Sequence, residues 1–264
     1  MRILYVGDIM GNLGIEIVSE ILPVLREEKQ IDVVIAQSEN VTGGKGISPE
    51  DFSRLQNVGV DFFSGGNWSL HREAIIPLLN DPNQPIIRPA NYPKGTPGLG
   101  YKLLETPAGK LLGVSLLGNI VGRDADKPMQ NPLRCIDDIL KQTEGEKPVA
   151  IIVNFHGDFS SQKVVIGSYL DGRVTGVVGD HWHVPTADAR ILLKGTAHIS
   201  DVGMCGALNA SLGVRFDSVI PRWRDDHATR NILETEGPRQ FNAVLIESNE
   251  NALAASIEQI RIIQ

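Results

Sequence analysis

The stretch Val177-Val178-Gly179-Asp180-His181-Trp182-His183 joins the end of a buried strand to two closely spaced histidines. The valines predict a strand that ends at Val178, and Gly179 is expected to break it. In an extended backbone alternate side chains point the same way, so His181 and His183 are predicted to face one point in space. Two imidazoles that converge at the carboxyl end of a strand are a typical beginning of a metal site. The alternative is a pair of exposed loop histidines.

The bulk composition limits the class of protein. The chain has 264 residues, of which 42% are hydrophobic, enough for the core of one large domain or two small ones. Its net charge of −7 argues against a clamp for long nucleic acids but does not exclude a small phosphate ester. Cys135 and Cys205 lie outside any CxxC pair and are predicted to be reduced and to fill apolar space. Without a signal-peptide pattern or an apolar run of about 18 residues, we expect a cytoplasmic protein with no membrane span.

Side chains with metal-binding atoms follow four other predicted strands, at the point where each strand ends. In an open α/β sheet the ligand crevice lies outside the carboxyl ends of the strands, so these side chains are expected to meet there. The alternation of strands and helices through the first half of the sequence supports the α/β class. The predicted strand 3–6 is followed by Asp8, strand 33–36 by Glu39 and Asn40, strand 60–63 by Asn67, and strand 149–153 by His156.

The number and the type of these ligands indicate two divalent or trivalent metal ions. Together with His181 and His183 they are too many for one tetrahedral ion, and they fit two ions that share a bridging carboxylate. Mixed oxygen and nitrogen ligation without thiolate suits Fe or Mn, with Zn as the alternative, better than Ca or Mg. Two ions roughly 3.5–4 Å apart can bind a bridging hydroxide and place it in line with a phosphorus atom.

The order of these motifs resembles that of the calcineurin-like metallophosphoesterase superfamily. The motifs are Gly7-Asp8, Glu39-Asn40, Gly66-Asn67, Phe155-His156 and Gly179-x-His181-x-His183. Other segments are similar to the YmdB-type bacterial branch, whose members are known as 2′,3′-cyclic-nucleotide phosphodiesterases. They include Arg88-Pro89-Ala90-Asn91-x-Pro93, Val184-x-Thr186-Ala187-Asp188-x-Arg190-Ile191-Leu192 and Asp201-Val202-Gly203-Met204.

The resemblance implies one domain over residues 1–264, built as a four-layer α/β/β/α sandwich of mixed sheets. It also implies a small phosphodiester or nucleotide substrate, such as a 2′,3′-cyclic nucleotide, attacked by a metal-bridging hydroxide. The oligomeric state stays open, and a homo-oligomer is compatible with the sequence. By matching position, the first ion would be held by Asp8, Glu39 and His183, with Asn40 beside it, and the second by Glu39, Asn67, His156 and His181.

One residue departs from the branch at a catalytic position. The branch has a histidine directly after the Asn67 position, which is thought to protonate the leaving oxygen or steady the phosphoryl group. Here that residue is Trp68, and indole has no basic nitrogen that could act as a general acid. His71 is the candidate replacement, and its alternative is a solvated residue at the start of the next helix.

Several other side chains have two interpretations each. Asp158 stands where the branch usually has Glu, and Asp180 where it usually has Thr. Asp180 is either a group that orients a ligand histidine or an exposed residue. Trp182 is expected either to stack a base or to pack in the wall of the site. Lys45 and Arg88 are expected to be surface charges, with phosphate contact as the alternative.

Three functional hypotheses follow from this sequence. The first is a dinuclear metal phosphodiesterase in which water or His71 supplies the leaving-group proton. The second is a metal- and nucleotide-binding regulatory protein whose catalysis is weakened because Trp68 replaces the usual histidine. The third is a phosphomonoesterase, which differs from the first only in its substrate.

Overall fold

The computed structural model describes residues 1–264, except for the side chain of Arg123. It confirms the α/β class and the four-layer arrangement, because two mixed sheets pack face to face and helices cover their outer faces. The strands are β1 (Arg2–Val6), β2 (Asp8–Ile9), β3 (Val33–Gln37), β4 (Phe62–Ser64), β5 (Tyr101–Thr106), β6 (Gly109–Leu117), β7 (Ala150–His156), β8 (Gly176–Asp180), β9 (Arg190–Ile191), β10 (Ala197–Ile199), β11 (Met204–Ala207), β12 (Arg239–Ser248) and β13 (Ala254–Ile263). The helices are α1 (Gly11–Glu28), α2 (Pro49–Asn57), α3 (Ile76–Asn80), α4 (Pro132–Thr143), α5 (Ser160–Leu170) and α6 (Phe216–Arg224).

The strand order brings the carboxyl ends of several parallel strands to one edge of each sheet. In the first sheet the order is β2-β11-β12-β1-β3-β4, and β13 also pairs with β12. In the second sheet the order is β5-β6-β7-β8-β10-β9. Strands β1, β3 and β4 run parallel, as do β6, β7, β8 and β10. Strands β12 and β13 form the antiparallel hairpin that the alternating pattern at the end of the sequence predicts.

Three apolar layers hold the four structural layers together. Leu4 of β1 packs outward in the layer shared with α1 and α2, while its neighbour Ile3 points inward, because successive side chains of a strand face opposite sides. Ile3 belongs to the apolar layer between the sheets, to which Val178 of the second sheet also contributes. Val153 of β7 and Ile166 of α5 belong to the third layer. Strand β1 is therefore buried on both faces. Such a strand needs apolar residues at successive positions, which explains the unbroken hydrophobic run of β1.

Local signals in the sequence define the helix ends and faces. Ser48 caps α2, because its Oγ accepts a hydrogen bond from the Asp51 amide at 3.2 Å, and Pro49 occupies the first helical position. Val18, Leu22 and Leu25 lie on the buried face of α1 at the spacing of a helix.

The helices of the described residues lack the combination of length and apolar character that a membrane span requires.

The backbone of residues 177–183 differs from the prediction. Strand β8 does not end at Val178 but continues through Gly179 to Asp180. Gly179 allows the backbone of Ser200 to approach β8 closely, because a Cβ at position 179 would lie 1.9 Å from the Ser200 carbonyl oxygen. The two histidines that follow are not extended either: His181 has φ +99° and His183 has φ +63°. They therefore converge through left-handed backbone conformations and not through strand alternation.

Arg88 was predicted to be a surface charge, and this prediction is wrong. Its side chain is buried, and its guanidinium donates hydrogen bonds to carbonyl groups of the Pro/Gly-rich segment that surrounds it. Because these carbonyls come from one loop, Arg88 fixes the course of that loop. The acceptors are the carbonyl oxygens of Pro89, Thr96, Pro97 and Gly98.

The cysteines fill apolar space, as predicted. Cys205 is fully buried in the layer that α1 covers, and Cys135 packs against the third layer.

Candidate metal centre

The seven predicted ligand side chains lie at the carboxyl ends of the parallel strands, where the two sheets face each other. Asp8 follows β1, Glu39 follows β3 and Asn67 follows β4 in the first sheet, while His156 ends β7 of the second. Six of the seven are buried, and His181 is half-buried. The cluster consists of Asp8, Glu39, Asn40, Asn67, His156, His181 and His183.

Glu39 stands at the centre of one group of donors. Its Oε1 lies 3.0 Å from His156 Nε2 and 3.9 Å from His181 Nδ1. His156 Nε2 is also 3.0 Å from Asn67 Oδ1. Coordination bonds of about 2.0–2.2 Å can join atoms separated by up to about 4 Å, so one cation could contact all four side chains. Gly66 is required beside them, because a Cβ there would lie 2.1 Å from Glu39 Oε2.

Asp8 forms a second group with His183 and Asn40. His183 Nε2 lies 3.9 Å from Asp8 Oδ1 and 3.2 Å from Asn40 Oδ1. Asp8 Oδ1 is buried, and among the described residues it has no hydrogen-bond donor. A buried carboxylate oxygen without a partner is costly, and a cation between Asp8 and His183 would satisfy it. The donor set therefore fits a metal ion at this position as well.

The three histidines of the cluster are held in the same way. Each offers one ring nitrogen to an acceptor outside the cluster and points its other nitrogen inward. Metal-ligating histidines typically donate from the outer nitrogen, because this fixes the tautomer and leaves the inner lone pair free. The outer contacts are His156 Nδ1 to Asp180 Oδ1 at 2.6 Å, His181 Nε2 to Asp158 Oδ1 at 3.3 Å, and His183 Nδ1 to the Leu212 carbonyl oxygen at 3.3 Å.

The two carboxamides follow the same rule. Asn40 Nδ2 donates to the Gly44 carbonyl oxygen at 2.9 Å, and Asn67 Nδ2 donates to Asp124 Oδ2 at 2.7 Å. Both amide oxygens are thereby directed into the cluster, where a cation would use them. No sequence pattern indicates Asp124, because it lies in a short 3₁₀ turn and does not follow a strand.

Asp180 is buried and orients a histidine, so the structure supports the first of its two interpretations. Its carboxylate accepts hydrogen bonds from Tyr5 Oη and Gln37 Nε2, each at 2.8 Å, in addition to the contact with His156. Asn154 Nδ2 donates to the same carboxylate. These donors were not predicted, although Asn154 precedes His156 by two residues in β7 and therefore lies on the same face of the strand.

The electrostatics differ between members of the cluster: they favour an anionic Glu39 and a neutral His183, whereas burial and the charge of Asp180 raise the pKa of Asp8. Burial alone would raise the pKa of Glu39, but the neighbouring His156 and His181 outweigh it and hold that pKa well below its usual range. Burial lowers the pKa of His156, but the charges of Glu39 and Asp180 raise it above its usual value. Burial, with repulsion from His181, lowers the pKa of His183 to about 4. His183 is therefore neutral at pH 7, which is the form that binds a metal.

A buried ion pair supports the loop that carries His181 and His183. Lys163 of α5 donates to Asp201 Oδ2 at 2.8 Å and to the Asp180 carbonyl oxygen at 2.6 Å. Asp201 in turn accepts the Trp182 amide at 2.8 Å, and Asp8 Oδ2 accepts the His181 amide at 3.2 Å. Left-handed non-glycine residues cost roughly 1–3 kcal/mol each, so the loop needs such bonds to persist.

We expect Lys163→Met to weaken metal binding on the order of 10-fold, because the loop of His181 and His183 loses its anchor. The measurement is Mn²⁺ titration of the protein by calorimetry. Lys102→Met is the matched control, because Lys102 is also buried and donates to the carbonyl oxygens of Asp81 and Gln84. Equal Mn²⁺ affinities in the two variants would contradict the anchoring role.

Trp68 and His71 lie beside the cluster. The Trp68 amide donates to Glu39 Oε2 at 3.2 Å, so its backbone is fixed to the central carboxylate. The His71 ring is exposed and meets the Trp68 ring edge-on, with centroids 5.0 Å apart. His71, Trp68 and Asn67 line a cavity of about 290 Å³ next to the cluster. The position beside Asn67 keeps His71 as a candidate acid, while the exposure of its ring agrees with the alternative of a solvated residue at the start of the next helix.

Comparisons with known proteins agree with this architecture. Residues 4–260 match the family model described as YmdB-like protein. A Bacillus subtilis (strain 168) protein named 2′,3′-cyclic-nucleotide 2′-phosphodiesterase is 36% identical over 264 residues, which cover 99% of this chain and 97% of that protein. A solved structure of a Thermus thermophilus protein has a TM-score of 0.90 and 34% identity, with full coverage of both chains. The structure of a phosphatase from Mycoplasma pneumoniae has a TM-score of 0.91 and 28% identity, and covers 100% of this chain and 93% of that one.

Proposed function

The chain belongs to the YmdB-like family, and we propose that it is a phosphodiesterase that uses two metal ions to hydrolyse small phosphodiesters such as 2′,3′-cyclic nucleotides. The name of the Bacillus subtilis relative supports the reaction class. The observation that carries the proposal is the common orientation of the donors: three imidazoles and two carboxamides are each held from outside and point inward at Asp8 and Glu39.

The two groups of donors correspond to two ion positions. Glu39 belongs to both, since it lies against His156 and follows the strand next to β1, which delivers Asp8. The first ion would be held by Asp8, Glu39 and His183, with Asn40 beside it, and the second by Glu39, Asn67, His156 and His181. Fe or Mn suits this oxygen and nitrogen set best, with Zn as the alternative.

The protein's own groups have defined tasks in such a reaction. When bound, the ions would supply positive charge for the phosphoryl oxygens and acidify a water nucleophile. Asp180, Asp158 and the Leu212 carbonyl hold the histidine tautomers while charge builds up on phosphorus. The leaving oxygen must gain a proton from water or from His71, since the indole N–H of Trp68 is not acidic enough to serve as a general acid.

The first test is metal content together with hydrolysis of bis-p-nitrophenyl phosphate in the presence of Mn²⁺. Two metals per chain with clear turnover would support the phosphodiesterase, and faster turnover of the diester than of p-nitrophenyl phosphate would separate it from a phosphomonoesterase. Two metals without turnover would favour the regulatory alternative, for which the specific argument is Trp68 at the general-acid position. A chain that binds no metal after addition of Mn²⁺ would overturn both.

Trp68→His is expected to raise kcat on the order of 10²-fold, because it restores a general acid next to the ligand Asn67. The measurement is kcat for a phosphodiester as a function of pH, with activity falling as the new imidazole loses its proton. Trp68→Phe is the control, since it alters the indole without adding a basic nitrogen. An unchanged kcat in Trp68→His would indicate that His71 or water already supplies the proton efficiently.

A further inference from the structure

All three tryptophans of the sequence line one cavity above the metal-ligand cluster. The cavity has a volume of about 540 Å³, and Glu39, His181 and His183 contribute to its floor. Trp68, Trp182 and Trp223 come from three separate parts of the chain, and the sequence contains no further tryptophan. Indole is a large flat surface on which nucleobases stack irrespective of their identity. We propose that Trp223 is the surface on which the base of a nucleotide substrate stacks, an inference that rests on the proposed function.

Trp182 is already held in the wall of the cavity. Its Nε1 donates to the Asp158 carbonyl oxygen at 3.0 Å, and Lys163 Nζ lies 3.9 Å from the centre of its ring. Its amide is bound to Asp201. These contacts use one ring face, the indole N–H and the backbone N–H, so the structure favours wall packing for Trp182 over base stacking.

Trp68 is also engaged. Lys45 Nζ lies 4.7 Å from the centre of its ring, and the His71 ring meets it edge-on. Its amide is bound to Glu39, which fixes the residue at the metal centre. Trp68 is therefore better placed to shape the site around the phosphoryl group than to receive a base.

Trp223 differs from the other two because its ring is almost fully exposed. The residue is 84% accessible in the last turn of α6, and the described residues form no hydrogen bond to its indole. A single exposed aromatic residue is common on protein surfaces, so exposure alone decides nothing. The position decides: this exposed indole lines the same cavity as the ligands His181 and His183.

Two cations of the same cavity suit the anionic part of such a substrate. The first is Arg222, next to Trp223, whose guanidinium donates to Thr229 Oγ1 at 2.9 Å and to Asn231 Oδ1 at 2.7 Å. The second is Lys45, whose ammonium group lies over the ring of Trp68. Among the described side chains neither forms an ion pair with a carboxylate, although the protein carries a net charge of −7. The cavity thus combines a metal centre, positive charge and one available indole.

The test compares two cyclic phosphodiesters that share a five-membered ring but differ in the presence of a base. Substrates are 2′,3′-cyclic AMP and glycerol 1,2-cyclic phosphate, and the readout is the ratio of their kcat/KM values. We expect Trp223→Ala to lower that ratio on the order of 10- to 100-fold, through KM for the nucleotide. Phe216→Ala is the matched control, because Phe216 is an aromatic residue of the same helix and is 50% exposed.

Either unfavourable outcome has a distinct meaning. An unchanged ratio in Trp223→Ala, or an equal fall in Phe216→Ala, would overturn the stacking role while leaving the proposed function intact. If the wild-type protein hydrolyses neither ester, the proposed function fails. Calorimetric binding of 2′,3′-cyclic AMP to wild type and Trp223→Ala in Mn²⁺ then still decides the stacking role, which fails if the two affinities are equal.

Discussion

Glu39→Gln is expected to lower phosphodiester hydrolysis on the order of 10³-fold and to remove at least one bound metal ion. Glu39 is buried, and its carboxylate lies against His156, His181 and the Trp68 amide. Glutamine keeps the volume but loses the negative charge and replaces one carboxylate oxygen by an N–H₂ group, so it can no longer bridge two cations. Metal content by mass spectrometry and kcat with Mn²⁺ measure the effect.

The control for this substitution is Glu258→Gln. Glu258 is half-exposed and pairs with Lys29 Nζ at 2.7 Å on the surface, where an ion pair contributes little. We expect wild-type metal content and turnover in this variant. Wild-type metal content in Glu39→Gln would contradict the assignment of Glu39 as the bridging ligand.

Asp180→Asn is expected to lower the free energy of unfolding by about 3–5 kcal/mol, because it removes one partner of a buried charged network. The carboxylate accepts from Tyr5, Gln37, Asn154 and His156, and the amide of asparagine would direct its hydrogens at some of these donors. The measurement is urea unfolding in the presence of EDTA, so that metal binding does not contribute. In Mn²⁺ we expect the affinity to fall on the order of 10- to 100-fold, since His156 loses its orientation.

Tyr5→Phe provides the comparison for Asp180→Asn. It removes only the hydroxyl that reaches Asp180 and Ser64, and we expect a loss of about 1 kcal/mol. If Asp180→Asn were no less stable than Tyr5→Phe, the carboxylate would not be the centre of this network.

The strand-end rule explains how much of the site could be predicted from the sequence. Asp8, Glu39 and His156 follow buried apolar runs, and parallel pairing brings the ends of such runs to a common edge. Periodicity therefore indicates both the α/β class and the position of these side chains. It does not give the ends of the strands accurately, as the extension of β8 to Asp180 demonstrates.

Tertiary contacts determine the features that the sequence does not reveal. No glycine marks the left-handed conformations of His181 and His183, because distant carboxylates at Asp8 and Asp201 stabilise that loop. Lysine is usually found on protein surfaces, yet Lys163 is buried, and its ion pair with Asp201 stabilises the buried charge. Arg88 was misassigned for the same reason, since its partners are backbone carbonyl groups that carry no sequence signal.

The position of β1 has a consequence for how the protein is made on the ribosome. This strand is synthesised long before β12, which is one of its two neighbours in the sheet, and the Gly7 amide donates to the Asn242 carbonyl oxygen at 3.0 Å. During translation the nascent chain therefore exposes Asp8 and the apolar strand β1 long before β12 emerges. Exposed hydrophobic surface of this kind is bound by chaperones and promotes aggregation. On the proposed function, metal loading would then be a late event in biogenesis, and the ions would enter a nearly complete fold.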